Sequence, residues 1–167
     1  MKKTIPLLLV CLILTGCSST TQPSETTVDT SPILQLANPW TEYLSLAEAE
    51  VACGLVFPMP EIIAESYVTE SFRVMDGQLL EVKYRDGDFP VTVRMQAGEG
   101  QDLSGVYGEF ENIQTFETDG ASITVRYING GIVQLISKDG YSYSLYAPNH
   151  YWGDSNIEFL QYIYDAG

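Results

Sequence analysis

Three cysteines, a single histidine, dispersed acids and many aromatics are the residues of this chain that could do chemistry. His150 lies in Pro148-Asn149-His150-Tyr151-Trp152-Gly153-Asp154. A zinc site takes three or four Cys, His or carboxylate ligands, and His150 has no partner His or Cys to start one. A serine hydrolase would have to use His150 as its base, and Gly-Xaa-Ser-Xaa-Gly is missing. Asp86-Gly87-Asp88 matches only a fragment of a calcium loop, without the remaining ligands or the closing glutamate, so a hairpin turn explains it better. Gly98, Gly100, Gly105 and Gly108 are not followed by Gly-Lys-Ser/Thr and make no phosphate-binding loop. The 22 acids are spread singly, so their spacing singles out no acid–base pair. The expectation is a non-enzymatic chain with no metal and no cofactor.

Cysteine chemistry is more telling. Cys17 ends the run Leu14-Thr15-Gly16-Cys17, which follows a positive start at Lys2 and Lys3 and a short apolar stretch from Ile5 to Leu14. This order resembles a bacterial lipoprotein signal, in which the cysteine is alkylated with diacylglycerol and becomes the first residue after cleavage. A transmembrane helix needs about 20 apolar residues, and here the chain turns polar directly after Gly16. A non-lipidated secretory signal is the closer rival, since its cleavage site also favours small residues. Two acyl chains anchor stably where one is marginal, each buried CH₂ contributing about 0.8 kcal/mol. Residues 1–16 are therefore expected to be a signal peptide, and Cys17 an anchor to the cell membrane on its extracytoplasmic face. Cys11 leaves with the signal. Cys53 then has no partner for an internal disulfide, and its place before Gly54 in an apolar helical pattern suits a small buried hydrophobe.

Residues 17–37 read as the lipidated cysteine and a tether. Ser18 to Pro32 is rich in Ser, Thr, Gln and Pro with a single Val, too little apolar surface to offset the entropy of ordering it. Residues 38–167 are of a size for one domain with a single core. Loss of Lys2 and Lys3 leaves six basic residues against 22 acidic ones, a net charge of −16. Nucleic acid and anionic lipid headgroups both demand a basic footprint and are improbable partners.

Within the domain, Ser45-Leu46-Ala47-Glu48 fits a capping box. Ala47, Val51 and Ala52 supply a modest apolar helix face, with Gly54 placed to end it. Pro58 and Pro60 mark an extended passage. From there the chain alternates. Asp76-Gly77, Asp119-Gly120, Asn129-Gly130 and Asp139-Gly140 each suit a tight hairpin, and Asp86-Gly87-Asp88 a slightly longer turn. Between them Leu80, Val82 and Tyr84 share a face, as do Val91, Val93 and Met95; Ile123, Val125 and Tyr127; and Tyr141, Tyr143 and Leu145. Strands are expected at 67–75, 79–85, 90–96, 112–118, 121–128, 131–138 and 141–147. The Gly-rich stretch from Ala97 to Gly108 would divide three strands from four. A closing helix from Asp154 would place Ile157, Leu160, Gln161 and Tyr164 near one face, with Phe159 and Ile163 extending it. The expected fold is α+β: a curved antiparallel β-meander of about seven strands, with an N-terminal and a C-terminal helix packed on it.

Several of these residues together resemble an uncharacterised family of lipoprotein domains from Gram-positive bacteria. The likeness runs over roughly residues 38 to 165. It rests on Asn38-Pro39-Trp40, Ser45-Leu46-Ala47-Glu48-Ala49-Glu50, Gly54, Pro58, Pro60 and Tyr67, then Val74-Met75-Asp76-Gly77 into Leu80-Glu81-Val82-Lys83-Tyr84. Asp102-Leu103-Ser104-Gly105 and Gly140-Tyr141-Ser142-Tyr143-Ser144 continue it. Similar modules form the extracytoplasmic parts of anti-sigma-factor-like membrane proteins. The resemblance implies a fold and a location but transfers no catalytic residue. Where the family often has Pro-Xaa-Gly-Tyr, this chain has Glu65-Ser66-Tyr67, which implies a different turn before the first hairpin.

Eleven tyrosines and two tryptophans exceed what the core pattern uses. Tyr107 in the Gly-rich loop, Tyr146 opposite Leu145, and Tyr151 and Trp152 before the last helix are the candidate binding surface, since aromatics with a polar tip favour interfaces. Covering of sheet edges is the plainer role for them. Trp40 is expected to anchor the start of the fold. The favoured function is a membrane-tethered, non-enzymatic binding or sensing module facing a cell-surface protein or the cell wall. A carrier of an amphiphile, held on the concave sheet face by Leu80, Val82, Val93 and Tyr143, is the alternative. A wall-directed hydrolase using carboxylates and His150 comes third.

Overall fold

Turn chemistry organises this chain. A computed structural model describes residues 38–63, 66–148, 161–163 and 165. At Asp119-Gly120, Asn129-Gly130 and Asp139-Gly140 both central residues take positive φ, between 46° and 84°. That conformation matches the twist of two antiparallel strands and is cheap only for Gly, Asn and Asp. Asp76-Gly77 adopts it too, and the Gln78 N–H donates to the Met75 carbonyl at 3.1 Å. The turn at Asp86-Gly87-Asp88 is tighter than expected, because Asp86 pairs directly with Phe89 and leaves only Gly87 and Asp88 outside the ladder.

In chain order the elements are β1 (Trp40–Tyr43), α1 (Leu46–Cys53), β2 (Ile62–Ile63), β3 (Tyr67–Met75), β4 (Leu79–Asp86), β5 (Phe89–Ala97), β6 (Asn112–Thr118), β7 (Ala121–Ile128), β8 (Gly131–Lys138) and β9 (Tyr141–Ala147). All seven expected strands are present. The sheet has nine because β1 and β2, too short to show alternation, both line the free side of β3: β1 opposite residues 72–75 and β2 opposite 67–68. Every pairing is antiparallel, in the order β1-β3-β4-β5-β9-β8-β7-β6. The meander therefore holds within β3–β5 and within β6–β9 but fails at their join. β5 pairs with β9 rather than β6, so the last strand lies inside the sheet and β6 at its edge. The Gly-rich segment between β5 and β6 is long enough to cross the sheet, which a hairpin turn could not do.

One sheet face holds the apolar core. Leu80, Val82, Tyr84, Val91, Val93, Met95, Ile123, Ile136, Tyr143 and Leu145 are buried there with Ala49, Leu55, Phe57, Met59 and Ile63 from α1 and the Pro-containing passage. Ser45 caps α1 as expected, its side chain accepting from the Glu48 N–H at 3.3 Å, and Gly54 ends the helix at φ 70°. The helix is rotated from the expected orientation. Leu46, Ala49 and Cys53 turn inward, while Ala47, Val51 and Ala52 are exposed. The Phe57 N–H donates to Glu50 Oε1 at 2.7 Å, which ties Glu50 to the returning chain in this orientation. Tyr84 donates to the Pro60 carbonyl at 2.9 Å and pins the same passage to the sheet. Residues 161–163 and 165 are helical, and Ile163 enters the core. Gln161 is exposed rather than on the apolar face. The remainder of the expected closing helix, including Tyr164, lies outside the described residues.

The opposite face is built on charge. Glu81 of β4 is fully buried, with Arg73 of β3 and Arg94 of β5 directly across from it in register. Arg73 Nε donates to Oε1 at 2.9 Å, with a second contact through Nη2, and Arg94 Nε donates to Oε2 at 2.8 Å. The Trp40 ring lies over both guanidiniums, 4.8 and 5.5 Å from its centroid. Trp40 thus anchors the start of the fold, through cation–π contact as well as through β1. Removing one partner from a buried ionic cluster strands the others, at a cost of about 3–5 kcal/mol. Glu81→Ala should lower stability by that amount in urea unfolding; a loss within 1 kcal/mol would show that the two arginines do not depend on it.

Candidate functional site

The segment leaving β5 is fastened to the charged face by polar contacts, one after another. The Gly98 N–H donates to the Gly140 carbonyl at 2.7 Å, and the Gly140 N–H to Glu99 Oε1 at 2.8 Å. Ser142 Oγ donates to the Gly98 carbonyl and accepts from the Gln101 N–H, while Ser137 Oγ accepts from the Gly100 N–H. Farther along, Arg94 Nη1 donates to the Leu103 carbonyl at 2.7 Å, so the arginine that neutralises Glu81 also holds the crossing chain. A Cβ on Gly105, at φ 66°, would come within 2.5 Å of that same nitrogen. Both the backbone conformation and the close approach require glycine there. Asp102 pairs with Arg126 Nη1 of β7 at 2.5 Å and accepts from Ser104 through Oγ and N–H at 2.6 and 3.0 Å.

Beyond Val106 the chain lifts away. Tyr107 is 92% exposed and lines a recess of about 420 Å³ with Gly108, Glu109, Phe110, Glu111, Ile128 and Asn129. The Phe110 ring stacks 5.1 Å from the Arg126 guanidinium, and the Glu111 N–H donates to the Tyr127 carbonyl at 2.8 Å, which joins the recess to the start of β6. Every residue of β6 is exposed, Ile113 and Phe116 among them. Such a surface is apolar, aromatic and acidic at once.

A second apolar surface lies on α1. Tyr43, Ala47, Val51 and Ala52 line a shallow recess of about 680 Å³, next to Leu44, which is 94% exposed. It exists because the helix turns Leu46, Ala49 and Cys53 inward instead.

Of the candidate aromatics, Tyr107 occupies the recess by β6. Tyr146 is half-buried on the charged face of β9, in register between Thr92 and Val133, and does not line that recess. Tyr151 and Trp152 lie outside the described residues, as do His150 and Cys17. Cys53 is half-buried against the core with its thiol directed to the Ala49 carbonyl at 3.1 Å, a packing role. The perturbed phenols are structural as well. Burial, then Tyr141 and Asp139, pushes Tyr143 up to about 12. Burial, then Tyr162 and Glu61, raises Tyr84 above the usual phenol range. Among the described residues no three His, Cys, Asp or Glu side chains gather as a metal site would need, and no helix is long and apolar enough to cross a membrane. Ile113 and Phe116, three residues apart, fall on opposite faces of β6, so no alternation in the sequence marks either as a surface residue, and the place of Phe110 beside Arg126 depends on a distant strand. The absence of any Lys or Arg between Arg94 and Arg126 was the available sign. No protein-family model, curated protein or solved structure matches this chain.

Burial works to raise the Asp102 carboxyl, but the Ser104 hydrogen bonds and the Arg126 ion pair outweigh it and hold it below its ordinary value of 3.8. Its folded pKa is thus lower than its unfolded one. The stability it contributes is complete above the unfolded value and is lost as pH falls through the folded value. In an acid titration followed by NMR, the Ser104 amide shift should move with a midpoint below 3.8; a midpoint at or above 3.8 would contradict the network.

Proposed function

We propose that this chain is a lipid-anchored, extracytoplasmic binding or sensing module that performs no catalysis. A diacylglycerol on Cys17 holds it at the cell membrane, residues 17–37 act as its tether, and the domain faces a surface protein or the cell wall. The resemblance to Gram-positive lipoprotein domains points the same way. The observation that carries the reading is the Tyr107–Phe110 recess: an exposed tyrosine beside a half-buried phenylalanine, on a chain that is fastened by polar contacts up to Val106. A rigid mount carrying exposed aromatic side chains with polar or charged neighbours is what binding surfaces use. Among the described residues the one fully buried carboxylate, Glu81, is committed to two arginines.

The amphiphile-carrier reading has weaker support. Leu80, Val82 and Val93 are wholly buried under α1 and the Pro-containing passage. Among the described residues, Tyr143 lines a recess of about 240 Å³ beside Gly54, Val56, Pro58, Met95 and Tyr141. That is below the roughly 300–1,000 Å³ of ordinary ligand pockets.

Two measurements test the proposal. In cells expressing the full chain, radiolabelled palmitate should enter the wild type and partition with it into detergent, whereas Cys17→Ser should lose the label and the partitioning. Retained label would contradict the anchor. A photo-crosslinking amino acid at position 107 should give a discrete adduct on intact cells, while the same residue at Glu42, on the far side of the sheet, should not. Identical patterns would remove Tyr107 from the binding surface.

A further inference from the structure

The two edges of the sheet are treated very differently. On one side β3 is covered by β1 and β2, four and two residues long, and its ladder with β4 carries a register shift between Thr69 and Ser71. On the other side β6 runs seven residues in unbroken register with β7, and among the described residues no strand pairs with its outer side. Soluble proteins ordinarily blunt such an edge with Lys, Pro, a bulge or an inward charge. Asn112–Thr118 contains no Lys, Arg or Pro, and Glu117 is its single charge.

The turn at Asp119-Gly120 determines which backbone groups face outward. A two-residue turn makes Thr118 and Ala121 exchange hydrogen bonds, and alternate residues follow. Phe116 and Gln114 therefore bond to β7, while Ile113, Thr115 and Glu117 turn their N–H and C=O groups away from it. The Thr115 and Thr124 hydroxyls lie 3.0 Å apart, as the close side chains of a non-hydrogen-bonded pair should. Ile113 and Phe116 stand exposed on opposite faces of this strand. The Tyr107–Phe110 recess opens at its beginning. Glu109, Glu111, Glu117 and Asp119 surround the edge, all exposed, with no basic residue from 95 to 125.

We propose that the outer edge of β6, with the recess at Tyr107, is a strand-addition site for an extended segment of a partner protein whose apolar residues alternate with Lys or Arg. This rests on the reading of the chain as a binding module and names the partner that its surface fits. Main-chain hydrogen bonds to Ile113, Thr115 and Glu117 supply the pairing, and the recess supplies the selectivity, as in other strand-addition complexes. A Lys or Arg entering the recess lays its aliphatic stem on Tyr107 and meets Glu109 and Glu111. A second copy of this chain is the poorer occupant, since it would bring the same acids to the edge on a body of net charge −16 after loss of Lys2 and Lys3.

The test uses the full lipidated chain in detergent and two fluorescein-labelled decapeptides, one alternating Val with Lys and one alternating Val with Glu. The Val-Lys peptide should bind and the Val-Glu peptide should not. Thr115→Pro removes an outward N–H and the Thr124 hydroxyl contact but no backbone bond to β7, and should weaken binding at least tenfold. Glu117→Lys, a milder change for the hairpin, should weaken it at least fivefold, whereas Glu42→Lys on β1 should change it less than twofold. Equal losses from Glu117→Lys and Glu42→Lys would reduce the effect to general attraction and overturn the site. Binding that survives Thr115→Pro and Glu117→Lys but falls with Tyr107→Ala would overturn strand addition while leaving the recess as a binding surface. No binding by either peptide would overturn strand addition too, and the crosslink at position 107 would then judge the wider reading on its own.

Discussion

The second face of this sheet depends on one buried carboxylate. Glu81 sits where alternation would put a solvent-facing residue, yet it is completely covered. It is tolerable there only because a guanidinium meets each of its oxygens. One of these, Arg94, continues to the Leu103 carbonyl, so the charge that balances Glu81 also fastens the segment crossing from β5 to β6. Trp40 lies over both arginines and draws the first strand into the same cluster. Elements far apart in the chain thus meet through a single buried side chain. Arginine suits this because its planar fork can satisfy two acceptors at once.

The crossing segment explains the topology. With β9 between β5 and β8, the two hairpin series share one sheet, and the strand that begins the second series is left at the edge. The core face gains from this arrangement, since Val93 and Leu145 lie in register across the join. The cost is a β6 whose outer side, among the described residues, pairs with no strand. Ile113 and Phe116 stay exposed there, one on each face of the strand. An exposed apolar edge invites aggregation unless something restrains it. The acids around β6 and the high net negative charge do so by repelling identical copies, which leaves the edge open to basic segments.

Local rules were legible in the sequence where the chain decides structure within a few residues. The Asx-Gly turns, the Ser45 cap, the Gly54 stop and the alternating core positions all appear where the residues demand them. What was not legible depends on distant partners. β1 and β2 carry too few residues for a periodic pattern, and they form because β3 offers them an edge. The orientation of α1 goes with tertiary contacts, Glu50 reaching the Phe57 N–H and Ala49 entering the core, which no helical periodicity encodes. The β5–β9 pairing requires knowing that a Gly-rich segment lies over the sheet. Of the candidate aromatics, Tyr107 could be found because a tyrosine among glycines has little to pack on. Phe110 could not, since its place beside Arg126 is a tertiary fact.

The central claim, that the Glu81–Arg94 cluster fastens the crossing segment independently of the apolar core, is tested most directly by hydrogen exchange on an Arg94→Lys variant. A lysine cannot hold both Glu81 and the Leu103 carbonyl in the geometry of a guanidinium. The account predicts faster exchange of the amides at Gln101, Ser104 and Val106, with the β7–β8 ladder still protected. Unchanged protection at those amides, or loss of protection across the whole sheet, would contradict it.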